Sequence, residues 1–454
     1  MQDKNLELME KAPIPKAILS LALPTVFSSI VILIYNLADT YFIGLLDDMY
    51  QLGAVSLAYP IFTVVQAIGN IFAIGVSPYI SRCLGSQERE KVKKASSVAI
   101  WTSAIVTLIL TAIYFMFNTQ FLNMLGTDAH TFAPTKQYLD ICVLFGVFMT
   151  LQTVMSSFLR AEGKVKHSVI GMIIGTAANI ILDPLFILKF HMGAGGAAWA
   201  TIIGNAMSVI YFLFVFFKGK SIVSVRFRDF KPAKEIYTEV IKIGIPASAG
   251  QILMGVTNVV FNNLAVGYGD YVIPAYGVAG KLIYIAIIIV NGYTSGYMPF
   301  AGYNFGAKNI KRVKSAFKFT LISSTVLCLV LLIPFLLIAR AFIGAFNSNP
   351  DVIETGARFL HMYAICLPVL GMQFTFMSTL QVLGKAFRAM IVTIGRQTIF
   401  FFPLVYALNH FFGFSGLIIT NSIADILTTL VAVLLVIAPL RKLYKSEEVL
   451  KEVE

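Results

Sequence analysis

The chain has little charge. Only 13% of its 454 residues are Asp, Glu, Lys or Arg, while 57% are hydrophobic, and the apolar runs between Ile18 and Ala438 leave no room for a water-soluble domain. Histidine and cysteine are also sparse, at five and four residues. Cys83, Cys142, Cys328 and Cys366 stand in or beside separate apolar segments without metal-ligand spacing, so they read as packing thiols. No histidine pairs with an acid at helical spacing inside an apolar run, and with no nucleophile and base at plausible spacing, an enzyme is not expected. Gly219-Lys220-Ser221 ends like a phosphate loop, but Phe214 stands where the first glycine of that loop belongs. A nucleotide-driven pump is therefore disfavoured, and no cofactor is expected.

In place of these features are apolar runs of twenty residues or more, the mark of a polytopic membrane protein. Twelve spans are predicted, at about 17–44, 53–81, 95–117, 134–160, 166–190, 193–217, 240–267, 273–302, 315–340, 354–380, 386–410 and 413–438. Isolated strands would leave backbone groups unpaired in lipid, so the fold class is all-α. Residues 1–16 are polar and are not followed by a short apolar core with a cleavage site, so the first span is expected to be retained.

The net charge of +12 is topological. If both termini are cytoplasmic, 29 of the 35 Lys and Arg residues fall in the inner segments, and only Lys189 and Arg340 lie outside. That asymmetry is the positive-inside rule; it sets an even number of spans in the cell membrane and removes the reason to invoke nucleic acid. No span marks a dimer surface, so a monomer in the lipid bilayer is expected.

The second half repeats the first in a nearly constant register. Leu23-Pro24 meets Ile245-Pro246, Gly85-Ser86 meets Gly306-Ala307, and Gly163-Lys164 meets Gly384-Lys385. Two pseudo-symmetric six-helix lobes, 17–217 and 240–438, follow, with a tail at 439–454. Parallel repeats of this kind are a plan used by secondary transporters, with the substrate site between the halves. Between the lobes, 218–239 is basic and carries Phe227 and Phe230, which suggests an interfacial tether whose aromatics dip toward lipid.

One run breaks the apolar pattern. Thr176 to Ile187 carries Asn179 and Asp183, four residues apart and so on one helix face. A charge in hydrocarbon costs roughly 2.5–3.5 kcal/mol or more, which makes Asp183 a functional candidate by default. At about 1.5 Å of rise per residue, Asp39, Asp183 and Thr201 lie about 7–8, 10 and 12 Å inside the outer ends of the first, fifth and sixth spans. Asn36 shares the face of Asp39. Two carboxylates at one level cannot both ionise cheaply, so either one holds a proton or a cation such as Na⁺ sits among Asp39, Asn179 and Asp183. The bland alternative is a packed hydrogen-bonded cluster. Pro24 removes a backbone bond from the first span and is a candidate conformational kink.

The second half has no acid in its seventh span; its embedded charges are Lys281, Arg396 and Asp425. Asp425 either pairs with Arg396 or Lys281, or one of these cations meets substrate. Amides, aromatics and methionines suited to flat cations are spread over both halves. In the first half they are Asn36, Gln66, Asn70 and Met155. In the second they are Gln251, Met254, Asn258, Tyr284, Gln373 and Phe376.

Pro24 with Asp39-Thr-Tyr-Phe-Ile-Gly44, the Asn179 to Pro184 run, Lys242-Ile-Gly-Ile-Pro246 and Pro299-Phe-Ala-Gly-Tyr-Asn304-Phe-Gly306 resemble the multidrug and toxic compound extrusion (MATE) family, over about 15–440. The resemblance is to the bacterial multidrug branch. It implies a twelve-helix antiporter that exports cationic or amphipathic compounds in exchange for H⁺ or Na⁺ by alternating access, with coupling residues at Asp39, Asn179, Asp183 and Thr201. An acid used by one branch in the seventh span is missing here. The alternative is a lipid-linked precursor flippase, for which Lys281 and Arg396 make only a thin basic groove. A ligand-gated sensor would need a signalling module that the fifteen residues after Pro439 do not supply.

Overall fold

The computed structural model describes residues 4–44 and 48–453, apart from some side chains that include those of 35–41 and 444–453. No strand occurs among the described residues. A short α1 (Lys4–Glu10) precedes α2 (Ile14–Gly44), α3 (Met49–Gly85) and α4 (Arg89–Met116). After α5 (Asn118–Met124), the fourth span is split into α6 (Phe132–Leu144) and α7 (Gly146–Ala161), bent by 49°. The fifth is α8 (Val165–Asp183) continued by a π-helical turn, Pro184–Lys189, and the sixth is α9 (Gly193–Val215).

The second half runs α10 (Lys234–Ala265), α11 (Val272–Gly306), α12 (Ile310–Leu337), the short α13 (Ala339–Gly344) and α14 (Pro350–Val382). Then α15 (Ala386–Gly395), a π-helical turn Arg396–Phe400 and α16 (Phe401–Val453) follow without a loop. Gly413, at φ 55° and ψ −135°, breaks α16 into two spans. Among the described residues, counting the bent pair as one span and the broken helix as two gives twelve apolar helices, as predicted.

The repeat is visible in the backbone of the turns. Gln87 and Lys308, at matching places in the two halves, are both left-handed, at φ 60° and 58°. After each, the next residue's amide reaches five residues back, Glu88 to Cys83 and Asn309 to Asn304, both at 2.9 Å. Gly163 (φ 76°) and Gly384 (φ 67°) repeat the motif, with Lys164 bonded to Leu159 at 2.7 Å and Lys385 to Leu380 at 2.8 Å. These are Schellman ends, which use a left-handed residue to satisfy the last carbonyls of a helix.

The chain forms two compact units, residues 1–8 with 27–248, and 9–26 with 249–454. The helices carrying Pro24 and Pro246 each pass from one unit to the other two residues beyond the proline. Within the first unit, the start of α10 lies against α3: a Cβ on Gly244 would come within 2.0 Å of the Ile71 carbonyl, Tyr79 donates to Glu235 at 3.2 Å, and Arg82 pairs with Glu239. Within the second, the start of α2 lies against α11: a Cβ on Gly296 would meet Ala22 Cα at 2.3 Å, and Asn304 donates to the Met9 carbonyl at 3.0 Å.

The segment after α9 is fastened to the first unit. The Glu162 carboxylate, 2% exposed, accepts from the Ile222 and Val223 amides at 2.7 and 2.8 Å, from Ser221 Oγ and from Lys164 Nζ at 2.8 Å. Ser97 Oγ donates to the Arg226 carbonyl at 2.8 Å, and Trp101 packs edge-on against Phe227. Removing one partner of a buried ion pair costs about 3–5 kcal/mol. Glu162→Gln is therefore expected to lower the unfolding temperature and to speed cleavage by trypsin after Arg226, Arg228 or Lys231; unchanged cleavage would show that the clamp holds nothing.

Candidate ion and substrate cavity

Small residues set the spacing of α8 and α9. A Cβ on Gly175 would lie 2.6 Å from the Gly204 carbonyl, and one on Gly204 would lie 2.5 Å from the Gly175 carbonyl. Ser208 Oγ donates to the Gly171 carbonyl at 2.8 Å. Such close backbone approach is how membrane helices pack without a hydrophobic drive. It places Asn179, one turn above Gly175, against Thr201 on α9: Asn179 Nδ2 lies 3.3 Å from Thr201 Oγ1 and 3.5 Å from Asp183 Oδ1. A branched side chain at Gly204 would push the two helices apart, and overpacking of this kind costs about 1–3 kcal/mol. Gly204→Val is expected to pull Asn179 away from Thr201 and to lower the unfolding temperature while the protein still reaches the membrane, read by thermal unfolding and by surface expression.

The three polar residues are buried, with exposures of 2% for Asn179, 0% for Asp183 and 5% for Thr201. Asn179 Oδ1 is buried with no hydrogen-bond partner among the described residues. Asp183 closes α8, and Pro184 opens the wide turn behind it. π-helical turns interrupt the helical bond ladder and recur at functional sites. Among the described residues two more such turns occur: Phe216–Lys220 at the end of the sixth span, and Arg396–Phe400 in the second-half helix that corresponds to α8. Among the described residues no three His, Cys, Asp or Glu side chains cluster as metal ligands. A carboxylate with amide and hydroxyl oxygens suits a proton or a hard monovalent cation better than a transition metal.

In front of this cluster is a cavity of about 270 Å³, wholly within the first unit. From α3 come Phe62, Gln66 and Asn70; from α9 come Thr201, Asn205 and Ser208. α7 supplies Met149, Gln152, Thr153, Ser156 and Arg160, and α8 contributes Met172, Thr176 and Asn179. The predicted residues Gln66, Asn70, Asn179 and Thr201 are thus brought together. Asp183 is not on the wall but one layer behind Asn179. Met155 is buried at 2% and does not line the cavity. The side chains of Asn36 and Asp39 lie outside the described residues.

The predicted residues of the second unit are spread over different environments. Gln251, Met254 and Tyr284 are exposed, and Asn258 accepts from Tyr276 at 2.9 Å. Gln373 and Phe376 are buried; Gln373 Oε1 has no hydrogen-bond partner among the described residues, and Phe376 packs on Phe317. Asp425 pairs with Arg396, whereas Lys281 is exposed and makes no ion pair among the described residues.

Sequence reading missed the α7 wall. Gln152, Ser156 and Arg160 recur every four residues and so share a face, but Arg160 had an adequate explanation as an inner-loop charge. Asn205, four residues after Thr201, carried the same signal.

The MatE family profile matches twice, once in each half, at 24–185 and 246–407. The multidrug export protein MepA of Staphylococcus aureus (strain MSSA476) is 34% identical over 436 residues, 96% of each chain. MepA of Staphylococcus haemolyticus is 34% identical over the full length of both chains. Among solved structures, a MATE protein in complex with MaL6 superposes with a TM-score of 0.92 at 22% identity, covering 98% of this chain and 100% of the other. An outward-facing multidrug resistance MATE transporter of the MOP superfamily gives 0.91 at 22% identity, covering 98% and 99%. These last two speak for the fold alone. On the doubled family match and the full-length relatives, the chain belongs to the MatE, or multidrug and toxic compound extrusion, family of multi-pass membrane transporters.

Proposed function

We propose that the chain is a cation-coupled antiporter, driven by H⁺ or Na⁺, that exports cationic or amphipathic organic compounds across the cytoplasmic membrane, with both termini inside and lobes at 17–217 and 240–438. The observation that carries this reading is Asp183, fully buried one helical turn beyond Asn179, which with Thr201 lines one end of a cavity of amide and apolar walls. An ionised carboxylate in a water-poor interior is costly unless something neutralises it. Reorientation across the membrane is then cheap only when the acid is occupied by a proton, by Na⁺ or by the positive end of a substrate. Exclusive occupancy makes one species move out as the other moves in, which is antiport. Asp39, a residue of α2, is proposed as the second acid, and Pro24 as the bend through which occupancy alters the first span. The multidrug export function of the MepA relatives supports the substrate class.

The test is reconstitution in liposomes, following a fluorescent organic cation under an imposed pH gradient and then an imposed Na⁺ gradient. Movement under one gradient supports coupling and identifies the ion; movement under neither overturns it. The flippase reading needs a basic groove, and pairing of Arg396 with Asp425 and of Arg358 with Glu354 leaves that charge to Lys281 among the embedded cations described in the second unit.

A further inference from the structure

The far end of the cavity carries the opposite chemistry. Arg160, in the last turn of α7, is the one ionisable side chain among the described residues lining the cavity. Its Nη1 donates to Ser156 Oγ at 2.7 Å and Ser168 Oγ at 3.2 Å. Both partners are neutral, and no carboxylate lies within ion-pair distance of Arg160 among the described residues. Elsewhere among the described residues, Lys164 meets Glu162 and Arg396 meets Asp425, while Arg312 and Arg388 donate to backbone carbonyls; Arg160 differs from all four in facing a cavity. A guanidinium has five donors in a fork that matches a carboxylate or phosphate with two parallel bonds. Here the two hydroxyls engage a single nitrogen, so the fork retains capacity toward the cavity.

The two ends lie on one molecular axis. Ser168, which holds Arg160, and Asn179 are eleven residues apart on α8, which is about 16 Å of helix. The rest of the wall combines amides, Gln66, Asn70 and Gln152, with the soft apolar surfaces of Phe62, Met149 and Met172. The cavity is thus acidic behind Asn179, apolar and amide-lined along its length, and basic at Arg160.

We propose that Arg160 is an anion-binding subsite for substrate, and that the cavity selects elongated amphipathic compounds bearing a carboxylate or similar acidic group at the end opposite their cationic or polar end. This deepens the transport reading, because it assigns the class of compound held at that site, and it makes zwitterions better ligands than simple cations of the same shape. The acidic group replaces the missing counter-ion of Arg160, so the desolvation of the guanidinium is offset only when such a ligand is bound.

The test is binding to the purified full-length protein in nanodiscs, by fluorescence polarisation, with two dyes of the same ring system: rhodamine 110, a free carboxylic acid, and rhodamine 123, its methyl ester. The readout is the ratio of their affinities, which cancels general damage to the cavity. Wild type is expected to favour the acid, and Arg160→Gln to reduce that preference by about tenfold, as loss of a charge-assisted fork predicts. Arg160→Lys, which keeps the charge without the fork, is expected to fall between the two. No preference in wild type, or a preference that Arg160→Gln leaves in place, overturns the proposal. If Arg160→Gln does not fold, the comparison of wild type with Arg160→Lys decides it in the same way. Because binding is read without a gradient, an absence of ion coupling in liposomes would sink the antiport reading and leave this result standing, and the reverse also holds.

Discussion

Asp183→Asn is expected to stop gradient-driven export while the protein still folds and still binds its dyes. The substitution keeps the shape and one acceptor oxygen but removes the charge, so Asn179 keeps a neighbour of the same size. With a neutral amide in place, the reorientation that requires an occupied acid no longer depends on H⁺ or Na⁺. Coupling between two sites is typically 1–3 kcal/mol, so a loss of about 100-fold in gradient-driven flux is the expected scale. Downhill exchange of dye, with no gradient imposed, is expected to survive, because it needs the cavity and not the coupling ion. Both measurements use the same liposomes. Equal loss of driven flux and downhill exchange would mean that Asp183 supports packing, and full retention of driven flux would remove it from the mechanism. Thr201→Ala should weaken coupling less, since it deletes one neutral oxygen from a site that keeps its acid.

The architecture was legible because its signals are long and redundant. Twelve apolar runs, a one-sided distribution of Lys and Arg and a repeat spanning half the chain each point to the same membrane plan. The repeat is even closer in the backbone than in the residues: Gln87 and Lys308 share no chemistry, yet both adopt the same left-handed turn. Asn179, Asp183 and Thr201 were legible for the opposite reason, because polar groups are rare in such runs and depth along a helix is simple arithmetic. Less was readable where one residue has two adequate explanations. Arg160 satisfies the positive-inside pattern, so its place on a cavity wall left no separate trace. The docking of 221–227 was hidden because Glu162 looks like an ordinary loop acid until its carboxylate is seen receiving two backbone amides. Exchange of the first part of α2 and of α10 between units depends on tertiary packing at Gly296 and Gly244, which no periodicity reports.

Breaking the Arg396 and Asp425 pair is expected to be the most destabilising single change in the second unit. Asp425 is 5% exposed and accepts from Arg396 Nε, and Arg396 opens the π-helical turn in the span. Asp425→Leu strands a guanidinium in the membrane interior, and removing one partner of a buried pair costs about 3–5 kcal/mol. Arg396→Met strands the acid instead and should cost a similar amount. The double substitution Arg396→Met with Asp425→Leu removes both charges together; since the desolvation of two ions is then no longer required, it is expected to be neutral or even more stable by about 1–4 kcal/mol. Thermal unfolding of the three variants by size-exclusion fluorescence closes this cycle, and a double variant as unstable as the singles would show that the hydrogen-bonding of the site, not its charge, matters. Function then separates the two meanings of the pair. A stable double variant that still transports shows that Arg396 and Asp425 only neutralise one another. A stable double variant that binds dye but no longer transports shows instead that this pair, set on the π-turn helix equivalent to the one that carries Asp183, works in the transport cycle of the second lobe.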